Sequence, residues 1–424
     1  MAHPVYKAKG SIFAALDIGS NKIACFVAQI MDDQGNFDIL GIGHNQSSGI
    51  RQSTIIDITE TEKSIRQAVD AAERMAAERM RGYPLREIVI NVSGLHSFSS
   101  YAHIDVDISG HEITKHDITR ALIKTQSKAM RDGNELIHTI PARYILNRQS
   151  EVLDPIGMHG NTLSMDVHFV SGDVNSLKNI ASTVESSHLD IAALCSTPYA
   201  SGLAALVEDE MDLGCTIIDL GGGVTSYAVF QGGNMVHHGA LPVGGNHVTN
   251  DLAKGLTTSI KDAERIKTLY GNLFTVPSDD VETIDVPLVG EDRNNHQSNP
   301  VARSIIIGIM RPRVEEIFEM LRARLDDIDV LQDISRRVVL VGGGCQIPGL
   351  KDFAAHILDK QVRIGRPINI SGLAEAVSGP EFCTAAGLLR YYSSRSHEMP
   401  ARIHQQGDLK SFWPALKKWL HENW

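Results

Sequence analysis

The stretch Phe13-Ala14-Ala15-Leu16-Asp17-Ile18-Gly19-Ser20-Asn21-Lys22-Ile23-Ala24-Cys25-Phe26-Val27 admits few folds. Its apolar flanks have the length and make-up of strands packed on both faces, so it reads as strand, tight polar turn and strand. The turn carries the chemistry. Asp17 closes the first strand and can hold a hydrated Mg²⁺. Gly19 has no Cβ, so backbone can approach an anion closely. The N–H groups of Ser20, Asn21 and Lys22, the Ser20 hydroxyl and the Lys22 ammonium can all donate to phosphate oxygens. One such turn alone is equally compatible with an ordinary hairpin.

The pattern returns at Thr216-Ile217-Ile218-Asp219-Leu220-Gly221-Gly222-Gly223-Val224-Thr225-Ser226-Tyr227. Asp17 and Asp219 lie 202 positions apart (219 minus 17), a spacing that suggests two related halves facing one cleft. A third glycine stretch, Gly342-Gly343-Gly344, follows the apolar run Val338 to Val341. Its bare backbone can lie flat against a nucleoside, with a helix expected to start near Leu350. A single copy would be a structural glycine turn. Three in this order are hard to assign to coincidence.

The ordered set resembles the phosphate-1, phosphate-2 and adenosine motifs of the actin/Hsp70/sugar-kinase superfamily. From about Gly10 onward the chain resembles the bacterial FtsA family. That resemblance implies an α/β, actin-like two-lobed fold: a duplicated ribonuclease-H-like core, a family-specific α+β insertion and a C-terminal amphipathic helix. It implies ATP and Mg²⁺ as cofactors. Carried over position by position, the nucleotide contacts fall on Asp17, Gly19, Ser20, Asn21, Lys22, Asp219, Gly221, Gly222, Gly223, Thr225, Gly244, Gly245, Glu264, Lys267, Gly342, Gly343 and Gly344. Asp17 and Asp219 are the expected Mg²⁺ residues, acting through water. The Gly244-Gly245 turn opens a helix, a natural anion site. Glu264 and Lys267 are expected beside the ribose and base; as an i,i+3 pair they also read as a surface ion pair.

The implied function is an ATP-binding cell division protein on the cytoplasmic face of the inner membrane at the septum. Such a protein polymerises, anchors the FtsZ ring and recruits later division proteins. The alternative is a phosphotransfer enzyme, because the Asp-Ile-Gly-Ser-Asn turn also resembles exopolyphosphatases and the fold resembles sugar kinases. An enzyme of that kind is expected to place a carboxylate at the inter-lobe junction. Here Ser196 and Thr197 precede Pro198, and neither is a competent base at neutral pH.

Composition sets limits. A chain of 424 residues is long enough for two cores, and 42% apolar residues is a globular fraction. A net charge of −11 and the lack of a basic stripe argue against nucleic acid as a partner. The five cysteines have no metal or redox spacing; four sit in or beside apolar segments and read as small core residues, and a reducing compartment fits. Met1 to Gly10 has no apolar core of a signal peptide, and no run of ~18 apolar residues would span a membrane.

The expected organisation is lobe 1 over 10–84 and 167–195, with an inserted α+β module over 85–166 used in protein interaction. His96, His103, His111, His116 and His138 in the insert share no ligand spacing and are expected to face solvent. Lobe 2 is expected over 196–240 and 309–380, with a nucleotide-capping subdomain over 241–308. A helix over Thr59–Arg81 should bury Ile65, Ala68, Val69, Ala72 and Met75/Ala76. Another should bury Ile118, Leu122 and Ile123 behind a Thr114–Asp117 start. Val301 to Asp327 reads as a helix pair broken at Pro312. Arg303, Arg311 and Arg313 there form a basic cluster in an acidic chain, and by resemblance Arg303 and Arg311 dock the acidic C-terminal tail of FtsZ. A closing helix is expected over 381–392 and a tether over 393–407.

All three tryptophans lie in the last segment, 408–424. At ~100° per residue, Leu409, Phe412, Trp413, Leu416, Trp419, Leu420 and Trp424 fall on one side. Lys410, Lys417, Lys418 and His421 fall on the other. Too short to span, this helix fits an anionic membrane interface. Side-by-side tails on a polymer would bind far more firmly than one.

Overall fold

The computed structural model describes residues 8–129, 132–290, 299–328 and 336–393. The tail and most of its tether lie outside the described residues. The first lobe begins with β1 (Ile12–Ile18), β2 (Lys22–Ile30) and β3 (Phe37–Gln46), an antiparallel meander. A tight hairpin, β4 (Ile50–Arg51) and β5 (Thr54–Ile55), turns at Gln52 and Ser53, both at positive φ. It leads into α1 (Ile58–Met80) and β6 (Glu87–Val92), which joins β1 in parallel. Asp57 caps α1 by accepting from the Glu60 N–H at 3.1 Å. Ile65, Ala68, Val69, Ala72 and Ala76 are buried, but Met75 is 59% exposed. The expectation for Met75 fails because Ala76 takes the inward position and the Met75 sulfur instead accepts from the Ile42 N–H.

The insert follows as β7 (Ser97–Asp107), α2 (Lys115–Ala129), β8 (Asn134–Leu146), β9 (Ser150–Val152) and β10 (Thr162–Asp173). Its sheet order is β7-β10-β8-β9, and Ile118 and Leu122 of α2 share a core with Ile108, Met165 and Phe169. Thr114 and Asp117 bond each other's backbone and side chain at the helix start, a capping box with aspartate in the third place. Ile123 lies outside the buried face, 39% exposed. The expected boundary at 85 is corrected: β6 is a strand of the first lobe's sheet, and the inserted sheet starts at Ser97.

The chain returns through α3 (Val174–Ser186) and β11 (Asp190–Ser196), then crosses on α4 (Thr197–Ala205) into the second lobe. There α5 (Glu208–Leu213) precedes the meander β12 (Cys215–Leu220), β13 (Thr225–Gln231) and β14 (Asn234–Leu241). Next come α6 (Gly245–Gly255), α7 (Ile260–Tyr270), β15 (Thr283–Val286), β16 (Asn299–Ala302) and α8 (Arg303–Asp326). The lobe closes with β17 (Arg337–Val341), α9 (Leu350–Leu358) and β18 (Gln361–Ile364), and α10 (Cys383–Ser393) ends the described chain. The break expected at Pro312 is absent: α8 is one helix. Proline forfeits one bond to the carbonyl four residues back. Here that carbonyl belongs to Gly308, which is exposed, so water can satisfy it. Ile305 on the same helix is 52% exposed.

The two lobes repeat one topology. Read from the parallel edge, the first sheet runs β11-β6-β1-β2-β3 and the second β18-β17-β12-β13-β14. Each opening strand alternates between two cores, as a period of two requires. Phe13 and Ala15 point to the core between the lobes, Ala14 and Leu16 to the core under α1 and α3. Cys215 and Ile217 match the first pair, Ile218 and Leu220 the second. All five cysteines are buried, and none is in a disulfide. His138 contradicts its expected exposure. It is fully buried, its Nε2 accepting the Ser196 N–H at 2.9 Å, because the inner face of β8 lies against the inter-lobe junction.

Candidate functional site

The alternation that sorts the cores also aims the carboxylates. Asp17 follows Ala15, and Asp219 follows Ile217, by two residues, so both emerge on the inter-lobe face at the ends of their strands. The hairpins are superposable in detail. Asp17 pairs across with Ala24 and Asp219 with Ser226, the same register. The Gly19 N–H donates to the Lys22 carbonyl at 3.0 Å, and the Gly221 N–H to the Val224 carbonyl at 3.1 Å. A Cβ would sit 2.9 Å from that carbonyl oxygen at Gly19 and 2.8 Å at Gly221, so only glycine makes either turn without displacement.

The two turns face each other across one cleft of about 430 Å³. A Cβ on Gly222 would meet the Asn21 side chain at 2.6 Å, and one on Gly223 the Ser20 hydroxyl at 2.7 Å. Asn21 and Asn246 exchange two amide hydrogen bonds, each 2.7 Å, between the lobes. The hairpin tip adds a second link, Gln52 Nε2 donating to the Pro242 carbonyl at 3.0 Å. Asn91, at the end of β6, accepts from the Ile18 N–H at 2.7 Å and pins the first turn from below.

Most expected site residues line this cleft: Asp17, Gly19 to Lys22, Asp219, Gly221 to Gly223, Gly245, Glu264, Lys267 and Gly342 to Gly344. Thr225 and Gly244 do not. The Thr225 hydroxyl is buried and donates to the Val243 carbonyl at 2.7 Å, so it is taken up by the segment that follows β14. Gly244 packs on the Gly221 and Gly222 carbonyls. The Lys22 ammonium is turned toward the closing segment, donating to the Glu381 carbonyl and lying 3.8 Å from the Phe382 ring centroid. Lys267 is nearly buried and donates to Glu264 at 2.6 Å and Thr249 at 2.8 Å. The i,i+3 ion pair therefore exists, and it forms a wall of the cleft.

Burial raises the Asp17 carboxyl to about 6, with Lys22 lowering it and Asp219 raising it. Burial also raises Asp219, opposed by hydrogen bonds from Ser201 and Thr384. Burial lowers Lys22, opposed by Asp17. Two carboxylates held out of water across a cleft leave negative charge that a cation would neutralise. Gly342 sits at φ +87, where a Cβ would lie 2.5 Å from Asp219 Oδ1; Gly343 has open space up to Glu381. The flat glycine floor, the N–H-rich turns and the paired carboxylates fit a nucleotide with a divalent ion.

The basic cluster lies elsewhere and is largely neutralised. Arg303 meets Glu282 at 3.1 Å and the Tyr270 carbonyl at 3.1 Å. Arg313 bonds Asp251 at 2.6 Å and also meets Glu316. Arg311 is exposed and lies 5.5 Å from the Phe353 ring. The three guanidiniums of the expected cluster thus resolve into two ion-paired residues, Arg303 and Arg313, and one on an aromatic face, Arg311. Sequence reasoning did not single out Asn91, Ser201, Asn246, Gln346 or Thr384; Asn246 and Gln346 adjoin the glycine turns at 244–245 and 342–344, whereas the other three belong to no local motif.

Two like-built lobes around one glycine-lined, carboxylate-bearing cleft define an actin-like protein. Solved structures share the fold. That titled "PilM-PilN type IV pilus biogenesis complex" aligns with TM-score 0.64 at 16% identity, covering 90% of this chain and 98% of the other. "MreB5 of Spiroplasma citri bound to ADP" aligns with TM-score 0.52 at 14% identity, covering 90% and 95%. The chain belongs to the FtsA family of cell division proteins. The family model "Cell division protein FtsA" matches residues 216–387, and "SHS2 domain inserted in FTSA" matches 94–171. Cell division protein FtsA of Agrobacterium fabrum is 38% identical over 397 residues, 92% of this chain and 88% of that protein. That of Escherichia coli K12 is 30% identical over 422 residues, 97% and 98% of the two chains.

Proposed function

We propose that the chain binds ATP with Mg²⁺ between its lobes and links FtsZ filaments to the cytoplasmic face of the inner membrane at the division septum. The observation that carries this reading is the pair of Asp-Gly hairpins turned toward one cleft. The N–H groups of Gly19 to Lys22 and Gly221 to Gly223 would hold the phosphates, and Asp17 and Asp219 a hydrated Mg²⁺. Glu264 and Lys267 would flank the ribose and base, over the Gly342–Gly344 floor. The Mg²⁺ bound with the nucleotide would place positive charge between the triphosphate and the two buried carboxylates.

Assembly into filaments and recruitment of later division proteins through the insert complete the proposal. Arg311, exposed on α8, is the basic candidate for the FtsZ tail that holds no ion pair named above, with Arg303 at the first position of the same helix. No helix among the described residues is long and apolar enough to cross a membrane. Attachment would therefore fall to Phe412, Trp413, Leu416, Lys417, Lys418, Trp419, Leu420 and Trp424. Each large apolar side chain buried contributes roughly 1.5–3 kcal/mol, and each lysine near anionic lipid about 1 kcal/mol.

Two results test this. Fluorescent ATP should bind the wild-type protein, and Gly223→Val should abolish binding, since the new side chain would collide with Ser20 and Gln52. Deleting residues 408–424 should leave that binding intact and eliminate co-sedimentation with anionic vesicles. Unchanged sedimentation would remove the tail from the proposal; ATP binding unaffected by Gly223→Val would remove the cleft.

A further inference from the structure

Asp17 and Asp219 are equivalent by topology but not by surroundings. Asp219 Oδ2 accepts from the Ser201 hydroxyl at 2.7 Å and from the Thr384 hydroxyl at 3.1 Å. The two hydroxyls are themselves 2.9 Å apart, and both side chains are buried. Among the described residues no side-chain donor of this kind reaches Asp17. The hydroxyls occupy one oxygen of Asp219. The other, Oδ1, lies beside Gly342 in the cleft wall, where a Cβ would be 2.5 Å from it.

The origin of the hydroxyls gives the arrangement its consequence. Ser201 is on α4, the crossing from the first lobe to the second; Thr384 is on α10, which follows the second lobe and packs on β1, β2 and β6 of the first. These two helices meet backbone to backbone, for a Cβ on Gly387 would lie 1.7 Å from the Ala200 carbonyl oxygen. α4 packs on β12 and β13 of the second lobe as well as on α10, so a rotation between the lobes that sheared α4 against α10 would part the two hydroxyls. A carboxylate held by both loses its fixed orientation when they part.

We propose that Ser201 and Thr384 are positioning residues: together they orient Asp219 Oδ1 into the cleft, and so make what Asp219 holds depend on the angle between α4 and α10. The inference rests on the ATP–Mg²⁺ reading of the cleft. It also runs in reverse, since coupling between two sites is reciprocal. A cation drawn to Asp219 would favour the lobe angle at which both hydroxyls reach it.

The test is equilibrium binding of fluorescent ATP with Mg²⁺ and with EDTA, on the full chain. In a Ser201→Ala/Thr384→Val double variant, the ratio of the two affinities should fall at least tenfold. Thr384→Ser, which keeps the hydroxyl, should restore it, and Thr384→Val alone should give an intermediate ratio if the double variant does not fold. Amide exchange over residues 197–205 should lose its response to Mg²⁺–ATP in the variant that loses the ratio. A preserved ratio with a preserved exchange response overturns the proposal. A wild-type protein that binds no ATP in either buffer would instead defeat the reading of the cleft.

Discussion

Replacing Gly387 by alanine should lower the thermal unfolding midpoint by roughly 5 °C or more and open the inter-lobe cleft. The added Cβ would be 1.7 Å from the Ala200 carbonyl oxygen, far inside contact distance, and both partners are helix backbone. Overpacking a close-packed interior costs about 1–3 kcal/mol, occasionally more. Here no side chain can rotate away, so the upper end of about 3 kcal/mol applies. At about 2 °C per kcal/mol for a chain of this size, the shift follows. Gly308→Ala is the control. Gly308 lies inside α8 with nothing within 4 Å of its Cβ position, so the same substitution should be neutral or stabilise by up to about 1 kcal/mol. Gly387→Ala should therefore lower the midpoint, while Gly308→Ala leaves it unchanged or raises it. Equal midpoints for both variants would mean that α4 and α10 do not pack as described.

The contrast between these glycines also shows what a sequence can disclose. The strands β1, β6, β12 and β17 are legible because each centres on a short apolar run, and the hairpins because Asp-x-Gly recurs with the same flanks. Strand alternation then carries Asp17 and Asp219 to the same face without further information. Thr225 shows the limit of that logic. It sits at the start of a hairpin strand, where a donor to phosphate is plausible, yet its hydroxyl is taken by Val243, eighteen positions away. Ser201 and Thr384 were invisible for the converse reason. They are small polar residues within apolar helices, and their meeting at Asp219 depends on a contact spanning 183 positions. The arginines fail similarly: Arg303 and Arg313 look free until folding brings Glu282 and Asp251 beside them. Local chemistry is written locally; neutralisation and support come from packing.

Acidification should loosen the insert from the second lobe. Where β7 and β10 meet β14, the side chains are Ser99, Tyr101, His168, His237 and His238, with Tyr227 behind them on β13. His168 is bonded to Ser99 at 2.9 Å and to the Met235 carbonyl at 3.0 Å, and stacks on Tyr101. Burial lowers His168 to about 3 and His237 to about 4, and holds His238 well below the ordinary histidine value. A histidine depressed in the fold contributes stability above its unfolded value near 6.5 and loses it progressively as pH falls below that value. At pH 5 the loss is roughly 2 kcal/mol for His168, with a comparable order for His237. Asp17 opposes this in global measurements. Its raised carboxyl takes up a proton in the ligand-free fold as pH falls through 6, returning about 1 kcal/mol. The readout must therefore be local. Amide exchange measured at pH 7.5 and, after correction for intrinsic rates, at pH 5 should show faster opening over 97–107 and 234–241 at the lower pH. Exchange over β1 and β12 should change much less. Equal protection of the β14 segment at both pH values would show that these histidines stay neutral without strain on the junction, and the expectation would be withdrawn.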